Sequence, residues 1–234
     1  DAISIAAPTV QHFSIVHRAL TMGKHVLVEK PVTLDSVQTR ELVSLAATKK
    51  LILSVGYIFR FHPTVLALKA LLQAAQDIYY IQARYIGGQN RLWADSGAIL
   101  NFGIHLIDIL NFVLHSRPVR VYAKRQNILD AAREDSASVM LVYPDFFATL
   151  ELSCIHPEKH RDMWVHSRTG SMFADFDAQT LESHKSGHDE MALAPAGVLG
   201  QGVERANPLF DQLRYFLQCV ESYNQHTFQD VANI

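Results

Sequence analysis

The chain has 234 residues, 49% of them hydrophobic and 19% charged, with a formal net charge of −2. That composition supports a sizeable core in one or two globular domains. It carries no basic footprint for nucleic acid or an anionic membrane surface, and no apolar run reaches the roughly 18 residues a spanning helix requires. No signal-peptide pattern is present. The two cysteines, Cys154 and Cys219, are far apart, which fits a reducing cytoplasm better than a disulfide framework. Twelve histidines occur without a zinc-like spacing, and Pro157 interrupts the one i, i+4 pair, His156 and His160, so no metal site is expected.

Residues 2–7 form a short apolar run suited to a strand buried on both faces. Helical spacing follows over 10–22 (Phe13, Val16, Ala19, Leu20), with Gly23 placed as a C′ glycine. A strand is expected at 25–28. Asp35 then caps a helix reaching about Lys49, and residues 51–56 read as another buried strand. The order β-α-β-α-β with tight connections predicts a parallel sheet with right-handed crossovers.

Past residue 60 the pattern changes. A helix is expected over 64–73, a strand over 78–85 and a strongly apolar helix over 98–114. Strands follow at 119–125, 136–143, 147–154, 162–167 and 171–176, several alternating with period two as in a sheet with one covered face. Trp164, Met140 and the Phe146-Phe147 pair read as sheet core. Residues 184–204 read as an irregular loop. A closing amphipathic helix is expected over 208–223, with Leu209, Leu213, Phe216, Leu217 and Val220 on one face. The predicted fold is α/β plus α+β. Residues 1–60 form the C-terminal half of a Rossmann-type parallel sheet domain. Residues 61–234 form an open, mainly antiparallel sheet domain with helices on one face.

Two segments carry chemistry-bearing residues. The strand at 25–28 ends in Glu29-Lys30-Pro31. Strand ends of open α/β sheets are where ligands bind, and Pro31 restricts the conformation of Lys30. In the helix over 98–114, Asn101, His105 and Asp108 fall at i, i+4 and i+7, a polar stripe on an otherwise apolar element. Gly97 and Gly103 nearby permit close approach of backbone or ligand. Such a stripe is either a satisfied internal network or the wall of a site.

Four stretches together resemble the Gfo/Idh/MocA oxidoreductases, the glucose–fructose oxidoreductase and inositol dehydrogenase family. They are Ala6-Ala7-Pro8-Thr9 with His12, Gly23 to Pro31, Val55 to Pro63, and Asp95 to Asp108, in the family's order and spacing. The resemblance implies an oxidoreductase that transfers a hydride between NAD or NADP and a secondary alcohol or carbonyl of a sugar, nucleotide-sugar or cyclitol. It implies cofactor contacts from Ala7, Pro8, Thr9, His12, Glu29, Lys30, Pro31 and Arg60. It implies substrate contacts from Lys30, Trp93, Asn101 and His105. Lys30 would polarise the reacting oxygen and His105 would exchange its proton, the imidazole titrating near neutrality. Asp108 would orient the helix or the histidine, the alternative being an internal contact. Asn101 departs from the aspartate common in the family. An amide cannot take a proton, so Asn101 is expected to hydrogen-bond the substrate or His105. The resemblance also implies a homodimer or homotetramer built through the C-terminal sheet, with neither nucleic acid nor membrane as partner.

No Gly-x-Gly-x-x-Gly occurs, so the N-terminal part of the dinucleotide fold, roughly two βαβ units of about 30 residues each, is expected to precede Asp1. The alternative reading is a truncated or degenerate relative serving as a non-catalytic binding or structural module. A third is a reductase of an unrelated small carbonyl on the same scaffold, because fold does not set substrate.

Overall fold

The computed structural model describes residues 1–73, 77–87, 96–129, 131–185, 198–201, 203 and 205–223. The first three apolar runs pair in parallel as β1 (Ala2–Ile5), β2 (His25–Val28) and β3 (Leu53–Val55), in that spatial order. Helices α1 (Thr9–Thr21) and α2 (Ser36–Thr48) make the crossovers. The Asp35 side chain accepts the Val37 N–H at 2.8 Å, the cap that starts α2. Val26 and Val28 face α1 and α2 in a core with Ile5, Val16, Leu20, Leu42 and Val55. All four residues of β2 are buried, as a central parallel strand requires. β1 departs from expectation. In this edge strand Ala2, Ile3 and Ser4 are exposed and only Ile5 is buried.

A 3₁₀ turn, Ile58–Phe61, and helix α3 (Pro63–Leu72), with Pro63 in its first turn, lead into the larger sheet. Strand β4 (Ile78–Ile86) is followed by a π-helical turn, Ile99–Gly103, continuous with α4 (Ile104–Leu114). The chain then runs through β5 (Arg120–Gln126), β6 (Ser136–Val142), β7 (Phe147–Ser153), β8 (His160–Ser167), β9 (Gly170–Asp175), β10 (Thr180–Lys185) and β11 (Val198–Gln201). Their spatial order is β11-β10-β9-β8-β4-β7-β6-β5. The β4–β7 pair is parallel and the other neighbours are antiparallel. β10 and β11 were not anticipated. Residues 198–201, expected in an irregular loop, pair with β10, while 186–197 lie outside the described residues.

Period-two alternation divides this sheet. Ile81, Ala83, Ala137, Val139, Ala148, Leu150, Leu152, Met163 and Val165 point to the face covered by α3 and α4, where Leu68, Leu106, Ile109 and Leu110 complete the core. A Cβ on Gly103 would lie 2.7 Å from Leu152 Cδ1, so a side chain there would force Leu152 to shift. The opposite face carries Tyr80, Arg84, Met140, Phe147, Glu151, Asp162, Trp164 and Phe173. The assignment of Trp164, Met140 and Phe147 to the core is thus corrected: Met140 and Phe147 are exposed and Trp164 is half-buried. Hydrophobicity did not reveal which face their registers select. Phe146 does pack against the core and stacks on buried Tyr143 at 4.5 Å.

The closing helix α5 (Pro208–Tyr223) also departs from its expected place. Phe216 and Val220 bury against Leu27 and Ile52, on the side of the first sheet away from α1 and α2. Leu209, Leu213 and Leu217, expected on the buried face, are exposed. A central strand has two faces to cover, and α5 supplies the second layer. The chain divides into two compact units, residues 1–58 with α5, and residues 59–206.

Candidate functional site

In the first unit the candidate residues gather at the carboxyl ends of β1 and β2. Glu29 N–H donates to Ile5 O at 2.9 Å, joining the two ends. His12, expected at the cofactor, is almost wholly buried on α1. Its ring nitrogens lie 2.8 Å from Ala7 O and 2.8 Å from Pro31 O. One imidazole therefore ties the end of β1 to the Glu29-Lys30-Pro31 turn, in which the Lys30–Pro31 peptide is cis. Lys30 N–H donates to the Glu29 carboxylate at 3.3 Å. Ala7, Thr9, Lys30 and Pro31 are half-buried, whereas Pro8 and Glu29 are exposed.

These residues fit one part of a nicotinamide dinucleotide. Parallel strand ends, a cation and accessible backbone border a flat ring well, and such crevices are where open α/β sheets hold ligands. The glycine turn that cradles a pyrophosphate does not occur in the sequence.

In the second unit, Asn101, His105 and Asp108 are all buried. Arg60, also expected at the cofactor, forks onto Asp108: Nε lies 3.1 Å from both carboxylate oxygens and Nη2 lies 2.6 Å from Oδ1. Burial pushes the Asp108 carboxyl above its ordinary range, and the hydrogen bonds and charge of Arg60 pull it only partly back. The His105 ring joins a cluster with two aromatic rings that also touch each other: Phe59 lies edge-on to it at 5.1 Å, Tyr85 stacks on it at 5.8 Å, and Phe59 and Tyr85 are 6.4 Å apart. Arg161 lies over the Tyr85 ring at 4.6 Å, and burial raises the Tyr85 hydroxyl above its ordinary value. The Asn101 amide nitrogen donates to Ser96 O at 2.9 Å and Gly97 O at 3.0 Å, so both of its N–H groups serve the backbone. The expectation that Asn101 bonds His105 or the substrate would leave only its carbonyl for that purpose. Trp93 lies outside the described residues.

Sequence reasoning missed Phe59, Tyr85 and Glu134. The Glu134 carboxylate accepts Ile99 N–H at 3.0 Å and its backbone carbonyl accepts Ala98 N–H at 2.8 Å. A Cβ on Gly97 would overlap that carboxyl group, so a side chain there would displace it from Ile99 N–H. No sequence signal joins residues 35 positions apart. The aromatic residues could have been flagged by Phe59 preceding Arg60, and by Tyr85 breaking the aliphatic face of its strand. Among the described residues no group of three or more His, Cys, Asp or Glu side chains is placed to hold a metal ion.

The first unit thus places a lysine at a strand end of a parallel sheet, and the second a buried histidine on a helix over a mixed sheet. Residues 1–57 match the model of an oxidoreductase family with an NAD-binding Rossmann fold, and residues 76–173 match the GFO/IDH/MocA C-terminal domain. The chain belongs to the Gfo/Idh/MocA oxidoreductase family. It is 27% identical over 225 residues to UDP-N-acetylglucosamine 3-dehydrogenase of Acidithiobacillus ferrooxidans, covering 95% of this chain and 71% of that protein. The solved structure of that dehydrogenase superposes with a TM-score of 0.83 at 26% identity, over 95% of this chain and 70% of the other. Inositol 2-dehydrogenase of Rhizobium meliloti is 28% identical over 152 residues, 60% of this chain and 46% of that enzyme.

Proposed function

We propose that this chain provides the strand-end and substrate domain of a dehydrogenase or reductase acting on a secondary alcohol or carbonyl of a sugar, nucleotide-sugar or cyclitol. The relatives named above act on a nucleotide-sugar and on inositol. The observation that carries the reading is the buried His105, packed against Phe59 and Tyr85 on the same helix as the Arg60-paired Asp108. A proton-exchanging group needs a fixed ring in a water-poor setting, and this arrangement supplies one.

Ala7, Pro8, Thr9, Glu29, Lys30 and Pro31 would border the nicotinamide end of NAD or NADP. When bound, that cofactor supplies the hydride acceptor or donor. The Lys30 ammonium would polarise the reacting oxygen, stabilising the charge that develops there. His105 would take or return the hydroxyl proton. Arg60 would keep Asp108 ionised against its burial, so that the face of α4 beside His105 holds one orientation.

The open face of the eight-stranded sheet supports a homo-oligomer. It carries a strip of rings in which Tyr80 stacks on Phe147 at 5.8 Å and on His166 at 4.4 Å, and Trp164 stacks on Phe173 at 4.6 Å. A concavity of about 810 Å³ beside it is lined by Gln82, Arg84, Tyr122, Met140, Glu151 and Trp164 among others. A second copy of the chain is the occupant we propose for this face, in the cytoplasm. Among the described residues no helix is long and apolar enough to cross a membrane.

The test is turnover by the full-length protein with NAD and NADP against a panel of nucleotide-sugars, aldoses and cyclitols. Lys30→Ala should lower kcat by about a hundredfold or more while cofactor affinity changes little. His105→Ala should flatten the pH–rate profile near neutrality. Wild-type turnover in both variants would end the proposal.

A further inference from the structure

The functional reading leaves unexplained why the helix that carries His105 begins as it does. The first N–H groups of any helix have no intrahelical acceptor. In the first turn of this one, Ala98 N–H and Ile99 N–H are both satisfied by Glu134, a residue 35 positions away at the base of the β5–β6 hairpin. Glu134 is 8% exposed and places a carboxylate where the helix dipole favours negative charge. The hairpin that presents it is itself fixed. The Asp135 carboxylate accepts Ile128 N–H at 2.7 Å and Leu129 N–H at 2.6 Å, and Asp135 O accepts Cys154 N–H at 2.9 Å. From the other side, the Asn101 amide donates to Ser96 O and Gly97 O. Residues 96–101 are therefore pinned through their donors by Glu134 and through their acceptors by Asn101.

What is pinned is a π-helical turn. Ile104 N–H reaches Ile99 O, five residues back, whereas Asn101 N–H reaches Gly97 O, four back. A π-turn holds one residue more than an α-turn, and each helical residue spans about 100° of rotation. Relaxation of 99–103 to α-geometry would shift residues 96–101 by one position against α4, which Leu106, Ile109, Leu110 and Val113 hold in the core. Phe102, in the π-turn, stacks on Tyr85 at 4.7 Å, and Tyr85 stacks on His105, so that shift would disturb the rings packed against the imidazole.

We propose that Glu134 is a positioning residue for His105, its carboxylate and backbone holding the π-turn that sets the surroundings of the imidazole. The proposal rests on the assignment of His105 as the proton-exchanging group.

The experiment uses the full-length protein with its cofactor and the substrate found by the panel. Glu134→Ala should lower kcat about ten- to a hundredfold, the usual scale for misplacing a reacting group by an ångström or less. The cofactor KM should move less than about twofold, since only transition-state interactions are lost. The neutral limb of the pH–rate profile, assigned through His105→Ala, should shift. Glu134→Gln should restore most of kcat, because its amide oxygen can accept the same Ile99 N–H. Hydrogen exchange at the Ile99 amide should quicken in Glu134→Ala and not in Glu134→Gln. Gly97→Ala should impair the protein alone and less so with Glu134→Ala, which vacates the space the new Cβ needs.

If Glu134→Ala lowers only the melting temperature, with kcat and pH profile intact, the residue is a helix cap and no more, and the proposal falls. It falls likewise if Glu134→Gln is as impaired as Glu134→Ala. If His105→Ala itself keeps wild-type turnover, the functional reading fails and takes this proposal with it, a result separable from the first two.

Discussion

The two faces of the eight-stranded sheet are made by the same strands and differ in nearly everything else. On one, Ile81, Ala83, Leu150 and Val165 lie under α3 and α4 with no polar side chain among them. On the other, one residue along each strand, rings alternate with charges: Trp164 beside His166, Arg84 forked onto Asp162 at 2.9 and 2.6 Å, and Glu151 nearby. The covered face sets stability, and the open face holds groups whose energies depend on what is laid against them. Hydrophobicity alone does not separate the two, since Met140 and Phe147 are as apolar as much of the core yet lie on the open side.

Substitutions at four positions test that division, from the largest expected effect to the smallest. Leu150→Ala on the covered face should cost about 2–5 kcal/mol in chemical denaturation, the range for truncating a buried leucine. A loss below about 1 kcal/mol would mean that the covered face is not the core. Arg84→Ala should cost about 1–3 kcal/mol, because it leaves the Asp162 carboxylate buried with the more distant His160, at 3.7 Å, beside it among the described residues. Arg84→Lys should recover part of this at most, since an ammonium cannot reproduce the fork. Equal stability in wild type and Arg84→Ala would show the open face to be energetically silent.

Tyr143 closes the covered side, its hydroxyl buried without a partner among the described residues. Burial pushes its pKa up from 10.0 to about 12. The unfolded chain therefore releases this proton first, and the folded state loses stability as pH rises from 10 towards 12. Tyr143→Phe should remove that part of the alkaline loss, and should leave stability at neutral pH unchanged or slightly higher. Denaturation curves on either side of this window, compared between the two proteins, decide it. Trp164→Ala on the open face should change unfolding of the isolated chain by only about 0.5–1 kcal/mol, near the ordinary surface range. Its effect should be on association, seen as a lower sedimentation coefficient at a given concentration. An unchanged sedimentation profile would remove the open face as a subunit interface.

Much of this molecule was legible in the residues themselves. The strand at 25–28, the helices over 10–22 and 98–114, the parallel sheet and the antiparallel run all follow from periodicity and capping, which are local and survive in one dimension. The polar stripe of Asn101, His105 and Asp108 was visible for the same reason. What only the tertiary structure decided was pairing across long separations. Arg60 pairs with Asp108, 48 positions on. The His12 ring joins Ala7 O to Pro31 O, a tie between strand ends that no local pattern announces. Helix α5 covers the first sheet through Phe216 and Val220 although its leucines suggested another face. The start of the π-turn is held by Glu134 from a hairpin. Periodicity tells a residue which side of its own element it occupies. A buried charge or an unpaired N–H takes whichever partner the fold brings within about 3 Å, and that distance is not written in the sequence.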